Sequence, residues 1–192
     1  LAKYANIPLE EITWKCAGVN HLAWFTQFEH NGKDLYPAIK KRIKSGEINL
    51  EDDHVRLDMM EHFGAFITES SGHLSEYLPY YRKRKDIREK FCHNGYNGAT
   101  SFYADNWPEW RKNADLWRME FGNGEHQDWE VKRSWEYCSY VIEALEMDRP
   151  FVMYSTVPNT GLITNLPQDG VVEVGCYCDR NGVVPTHFGA LP

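Results

Sequence analysis

The sequence predicts an α+β fold in which a mixed or antiparallel sheet packs against helices. Two strand-like runs near the start, 12–20 and 24–29, are followed by Asn31-Gly32, the strongest short hairpin signal. Two more such runs, 151–157 and 171–177, lie near the end, where Asp179-Arg180-Asn181-Gly182 reads as a second hairpin turn into Val183-Val184. Between them the apolar residues step by three and four, the period of a helix. No repeat and no low-complexity linker divides the chain, so residues 1–192 read as a single domain.

Each element has a local reason. Residues 1–6 read as the end of a helix, broken at Ile7-Pro8 because proline disfavours helix at the residue before it. A helix is expected over 36–44, with Pro37 tolerated in its first turn and Gly46 ending it. Asp52 and Asp53 are N-cap candidates for a helix running to His62 and stopped by Gly64, with Val55, Met59 and Phe63 as its apolar face. The mixed, glycine-containing stretch 86–104 reads as a surface loop. Trp107, Trp110, Ala114, Trp117 and Phe121 form one helical stripe. After Gly122-Asn123-Gly124, Val131, Trp135, Cys138, Ile142 and Leu145 form another. Such stripes pack helices within a core or between subunits; a sugar-facing platform is the weaker reading of the tryptophans.

Bulk properties bound the function. At 192 residues and 42% hydrophobic, the chain can bury one ordinary core. The net charge is −7, and the dense basic run Arg82-Lys83-Arg84-Lys85 reads as a solvated helix face, so no nucleic-acid partner is expected. No run of about twenty apolar residues occurs, so no membrane span is expected. The chain starts without a methionine or a signal-peptide pattern, and Gly-Ala-Leu-Pro is no natural stop; both ends read as cuts. Five cysteines, an odd number without a CxxC pair, suggest reduced thiols and a cytoplasmic protein. Cys176 and Cys178 alternate along a strand, which points both thiols to one face.

The chemistry concentrates in two short stretches. In Cys16-Ala-Gly-Val-Asn-His-Leu-Ala-Trp24, apolar residues flank the polar pair Asn20-His21. An imidazole held between apolar flanks can offer one ring nitrogen to a metal while a neighbour fixes the other. One histidine makes no site, and a lone one is more often a satisfied core residue. A second cluster adds weight: Thr68-Glu69-Ser70-Ser71-Gly72-His73-Leu74-Ser75-Glu76-Tyr77, whose titratable candidates for proton transfer are His73, Glu76 and Tyr77.

The words CAGVNHLAW at 16–24, FITESSGHLSEYLPYY at 66–81 and NTGLITNLPQDGVVEV at 159–174 together resemble glycoside hydrolase family 4, and most closely its α-galactosidase (melibiase) branch. DRNGVVPTHFGALP at 179–192 continues the likeness. The resemblance implies a substrate- and metal-binding C-terminal domain of the lactate/malate dehydrogenase C-terminal type, following an NAD-binding Rossmann domain. No G-x-G-x-x-G occurs in this sequence, so the NAD site is expected upstream of Leu1.

The reaction implied is NAD- and Mn²⁺-dependent hydrolysis of small α-galactosides. It stands outside the two-carboxylate scheme of most glycosidases. Hydride leaves C3 of the sugar for NAD⁺, a base takes the acidified C2 proton, the glycosidic oxygen leaves C1, water adds, and the hydride returns. By resemblance His21 is the metal ligand, Tyr77 the favoured base and His73 its runner-up, while Asn20, Asn159 and Glu76 are substrate-binding candidates. Asn165-Leu166-Pro167 could equally be a turn that positions Asn159. The family's second metal ligand is a cysteine expected before Leu1, and Cys16 lies too close to His21 to be that residue. The chain alone is therefore expected to show no turnover. Other family specificities, α-glucosidase or α-glucuronidase, remain open. So does a non-catalytic oligomerisation module, since a homodimer or homotetramer is expected.

Overall fold

A computed structural model describes residues 1–49, 53–92, 101–125, 132–134 and 136–192. In chain order it contains α1 (Ala2–Ala5), β1 (Ile12–Val19), β2 (Leu22–His30), β3 (Lys33–Asp34), α2 (Tyr36–Lys44), α3 (His54–Phe63) and β4 (Phe66–Ile67). There follow α4 (Ser71–Tyr77), α5 (Lys85–Phe91), α6 (Phe102–Gly122), α7 (Cys138–Met147), β5 (Phe151–Pro158), β6 (Val171–Asp179) and β7 (Gly182–Pro185). The α+β class is as the sequence predicts.

The strands form one antiparallel sheet in the order β3-β2-β1-β6-β5, with β4 also on β2 and β7 also on β6. Two hairpin systems, β1–β4 and β5–β7, meet at a single paired position, Gly18 opposite Glu173. Asn31 and Gly32 both take positive φ, 51° and 73°, so the β2–β3 turn has the handedness that matches strand twist. Thr26 is the extra residue of a bulge opposite Lys15 and Cys16, which bends β2 along its length.

Hydrophobic burial splits the same way. Tyr4, Phe28, Tyr36, Ile39, Met60 and Phe66 pack α1, α2 and α3 onto β2. Val55, Met59, Ile67, Leu74, Tyr81 and Phe91 seat α4 and α5 against α3. Met153, Ile163, Val172, Val174 and Cys176 make the core of the second half, with Val141 of α7 against it. Cys176 and Cys178 are both buried, as their alternation requires, and all five cysteines are free. Among the described residues no helix is long and apolar enough to cross a membrane.

Several local expectations change. Lys85–Phe91 is a helix, not loop, because Phe91 is drawn into the core beside Tyr81; residues 93–100 lie outside the described ones. Arg82 and Lys83 precede that helix and Arg84 caps it, so the basic run is not one helix face. Asp53 takes the N-cap position of α3 but makes no capping bond. Its carboxylate instead accepts from the hydroxyls of Ser71 and Tyr4. Asp52 falls outside the described residues. Phe63 is exposed and leans on Trp24, while Leu57 and Met60 fill the core place expected of it. The stripe expected from Val131 begins as helix only at Cys138; residues 132–134 are not helical, and Val131 and Trp135 lie outside the described set. The helix of the tryptophan stripe, α6, buries none of its 21 residues, so the stripe serves no core within the described part of the chain.

Candidate functional site

Asn20 and His21 are the two turn residues of the β1–β2 hairpin, between the paired Val19 and Leu22. The sequence reading ran the first strand through Asn20; the structure ends it one residue earlier and turns the chain there. His21 takes φ 68°, a left-handed conformation in which histidine is more common than most side chains. The hairpin closes tightly because Gly18 lacks a side chain. A Cβ at that position would lie 2.7 Å from the Ala23 Cα. The turn is pinned from across the sheet, where the Asn20 amide donates to Glu173 Oε2 at 2.8 Å.

Facing the turn is α4. Ser70 caps it by accepting from the His73 amide at 3.3 Å, which sets where the helix begins. Starting there, His73 and Tyr77 stand four apart on one face, and Glu69 precedes His73 by four. The Thr68 amide, bonded to the Ala23 carbonyl at 2.9 Å, ties this segment to β2. The result brings four side chains together. Glu69 Oε2 accepts from His21 Nδ1, and Glu69 Oε1 lies 3.3 Å from His73 Nδ1. The Tyr77 ring lies 5.0 Å from the His21 ring and 6.1 Å from that of His73. His73 Nε2 is 3.2 Å from the hydroxyl of Tyr103, near the start of α6.

Glu69 is mostly buried, at 14% side-chain exposure, whereas His21 is half open at 49%. Burial alone would raise the Glu69 carboxyl, but hydrogen bonds from His21 and from the Ser70 amide and hydroxyl, with the charge of His73, hold it below the ordinary range. It is thus an anion at neutral pH. Glu69 was not among the candidates read from sequence; its spacing four before His73 was the available signal.

The other candidates sit as follows. Tyr77 is half exposed rather than core, and faces His21. Asn20 spends its amide hydrogen on Glu173, and Glu173 thereby faces the turn rather than the core. Glu76 pairs with Arg82 at 3.3 Å. Asn159, a substrate-binding candidate, has no exposed surface. Its amide donates to the carbonyls of Ile163, Leu166 and Pro167, and its oxygen accepts from the Ile163 amide. The side chain holds a loop, with its amide hydrogens committed to three carbonyls and its oxygen to the Ile163 amide. A separate cleft of about 280 Å³ lined by Ile43, His54, Leu57 and Phe91 contains none of these site residues.

The donor set offers a divalent cation one position. His21 Nδ1 is occupied by Glu69, which leaves Nε2, in the manner of a carboxylate-braced metal ligand. Among the described residues no group of three or more His, Cys, Asp and Glu could hold an ion by itself. Cys16 adds no ligand. It is buried, and burial together with the Glu173 carboxylate pushes its thiol up to about 12, so it stays protonated.

Such a fold and such a cluster define an α+β domain that gathers imidazole, carboxylate and phenol side chains at a hairpin turn. Residues 16–192 match the family 4 glycosyl hydrolase C-terminal domain, and the chain belongs to that family. It is 38% identical over 196 residues to an α-galactosidase of Bacillus subtilis (strain 168), covering 100% of this chain and 43% of that protein. It is 33% identical over 179 residues to an α-galactosidase of Rhizobium meliloti (strain 1021), covering 90% and 36%. Among solved structures, a 6-phospho-α-glucosidase from gut microorganisms in complex with NAD and Mn²⁺ matches with a TM-score of 0.64 and 25% identity. That match covers 100% of this chain and 45% of that one. The chain therefore spans less than half the length of these proteins.

Proposed function

We propose that residues 1–192 form the substrate- and metal-binding domain of an NAD- and Mn²⁺-dependent glycosidase acting on small α-galactosides. The observation that carries this reading is the His21–Tyr77 pair, rings 5.0 Å apart, with Glu69 bracing the imidazole from its other side. In this reading a divalent cation would supply polarisation of sugar oxygens and NAD would supply reversible hydride transfer. His21 supplies Nε2 as one ligand. Tyr77, exposed beside it, takes the C2 proton, and His73 stands next to Tyr77 as the alternative base. Asn20 and Glu76 are the candidates for sugar hydroxyl contacts. Two α-galactosidases among the relatives support the galactoside over a glucoside or glucuronide. Five free cysteines and a net charge of −7 fit a reducing, cytoplasmic setting without nucleic acid.

The test uses the full-length protein that contains this chain, with melibiose in deuterated water. Cleavage should need both NAD and Mn²⁺ and should place deuterium at C2 of the released galactose. Cleavage that proceeds without NAD, or leaves C2 protiated, would end the redox reading. A Tyr77→Phe variant should lose C2 exchange; if exchange persists, His73 becomes the base to examine.

A second reading rests on α6. Tyr103, Trp107, Trp110, Ala114, Trp117 and Phe121 recur every three or four residues, the seam of a helix that packs on another helix. None of them is buried. This supports assembly of the chain as a homodimer or homotetramer through that helix.

A further inference from the structure

Glu69 touches both histidines of the site, one carboxylate oxygen on each Nδ1. A carboxylate can only accept, so each contact requires a hydrogen on Nδ1. A neutral imidazole carries one hydrogen, and its other nitrogen is then a lone pair. For His73 that second nitrogen lies 3.2 Å from the Tyr103 hydroxyl, a group able to donate. For His21 it is the nitrogen left over at a half-exposed turn. A neutral histidine side chain in water favours the opposite arrangement, with the hydrogen on Nε2. The arrangement here is therefore imposed by the protein and has a spectroscopic signature.

We propose that Glu69 is a positioning residue that holds His21 and His73 together in the Nδ1–H form, so that Nε2 of His21 is presented as a ligand and Nε2 of His73 accepts from Tyr103. The consequence for metal rests on the glycosidase reading; the tautomers do not. One mostly buried carboxylate thus sets both imidazoles, and through His73 it reaches Tyr103 of α6. Glu69 needs its full length for this: it spans from the hairpin turn to the helix face, 48 positions from His21 and four from His73.

The experiment is a two-bond ¹H–¹⁵N correlation spectrum of the 192-residue chain, with eight histidines assigned through His21→Gln and His73→Gln. It is recorded at about pH 8.5, where imidazole is neutral. In the unaltered chain both residues should show a protonated Nδ1 and a lone-pair Nε2. Glu69→Ala should return both toward the Nε2–H form, and Glu69→Asp, one methylene shorter, should return one of them. Tyr103→Phe should shift Nε2 of His73 and leave His21 unchanged. Nε2–H signals in the unaltered chain, or Nδ1–H retained in a natively folded Glu69→Ala, would overturn the proposal. If Glu69→Ala does not fold, the Asp and Tyr103→Phe variants decide it in the same way. Added MnCl₂ should broaden the His21 ring at about 10- to 100-fold lower concentration in the unaltered chain than in Glu69→Ala. Locked tautomers with no Mn²⁺ broadening would uphold the role of Glu69 and count against the metal reading alone.

Discussion

The Asn20 amide donates to Glu173 Oε2 at 2.8 Å, joining residues 153 positions apart. The bond falls beside the one position, Gly18 opposite Glu173, at which the two halves of the sheet pair. The turn that carries His21 is thus fixed by β6 and not by its own hairpin alone. Glu173→Ala or Asn20→Ala should lower stability by about 0.5–1.5 kcal/mol, an exposed charged hydrogen bond's worth. In a double-mutant cycle followed by urea unfolding, the two changes should be clearly non-additive.

Asn159 should prove structural. Replacing it with Ala removes the acceptor of the buried Ile163 amide and three amide contacts, leaving the carbonyls of Ile163 and Leu166 to Gln168 and that of Pro167 to the Gly170 amide. The expected loss is about 2–4 kcal/mol, read as a lower urea midpoint with an unchanged slope. A change in substrate KM without loss of stability would restore it as a sugar contact.

Gly18 should tolerate no side chain. Its φ is 155°, and a Cβ would meet the Ala23 Cα at 2.7 Å and the Leu22 carbonyl oxygen at 2.9 Å, both backbone atoms that cannot step aside. Gly18→Ala should cost about 2 kcal/mol or more and move the His21 turn, visible as amide shift changes concentrated at 18–24.

Alkaline pH should weaken the fold. Burial, aided by the Glu173 carboxylate, pushes the Cys16 thiol up to about 12. Burial, aided by Asp34, pushes the Tyr36 hydroxyl up to about 12 against an opposing hydrogen bond with Phe66. Folded Cys16 and Tyr36 keep protons that the unfolded chain gives up near 9 and 10. Their stabilising contribution is therefore complete below about pH 9 and disappears as pH climbs toward 12. Melting temperature should fall across that window, and less steeply in Cys16→Ala.

Helix α6 should mediate self-association. Trp107 is 59% exposed on the apolar seam, so Trp107→Glu should shift the chain toward monomer without lowering its melting temperature. Sedimentation velocity over a range of concentrations measures this directly; a monomeric unaltered chain would contradict it.

Much of the fold was legible because its causes are local. Asn31-Gly32 has the backbone freedom a tight hairpin turn needs, and the turn forms there with both residues at positive φ. Pro37 and Gly46 bracket α2 as read, because one lacks an amide hydrogen the first turn does not use and the other can adopt the φ of 76° that ends a helix. His73 and Tyr77 share a face by spacing alone. The second helix of the apolar stripes was read too long because periodicity marks a face but not where capping and packing let a helix start. Phe91 shows the opposite: the polar run 85–91 folds into a helix once one aromatic has a core to enter.

What the sequence by itself determined was the α+β class, the hairpin turns at Asn31-Gly32 and at 179–182, and the spacing that puts His73 and Tyr77 on one helix face. Each follows from neighbours a few residues away or from motif words. Only the tertiary structure decided that Glu69 grips both histidines, that Asn159 holds a loop and that no residue of α6 is buried among the described residues. Those outcomes depend on which distant groups meet, such as Glu69 and His21 across 48 positions, and on which polar atoms must be satisfied once water is gone.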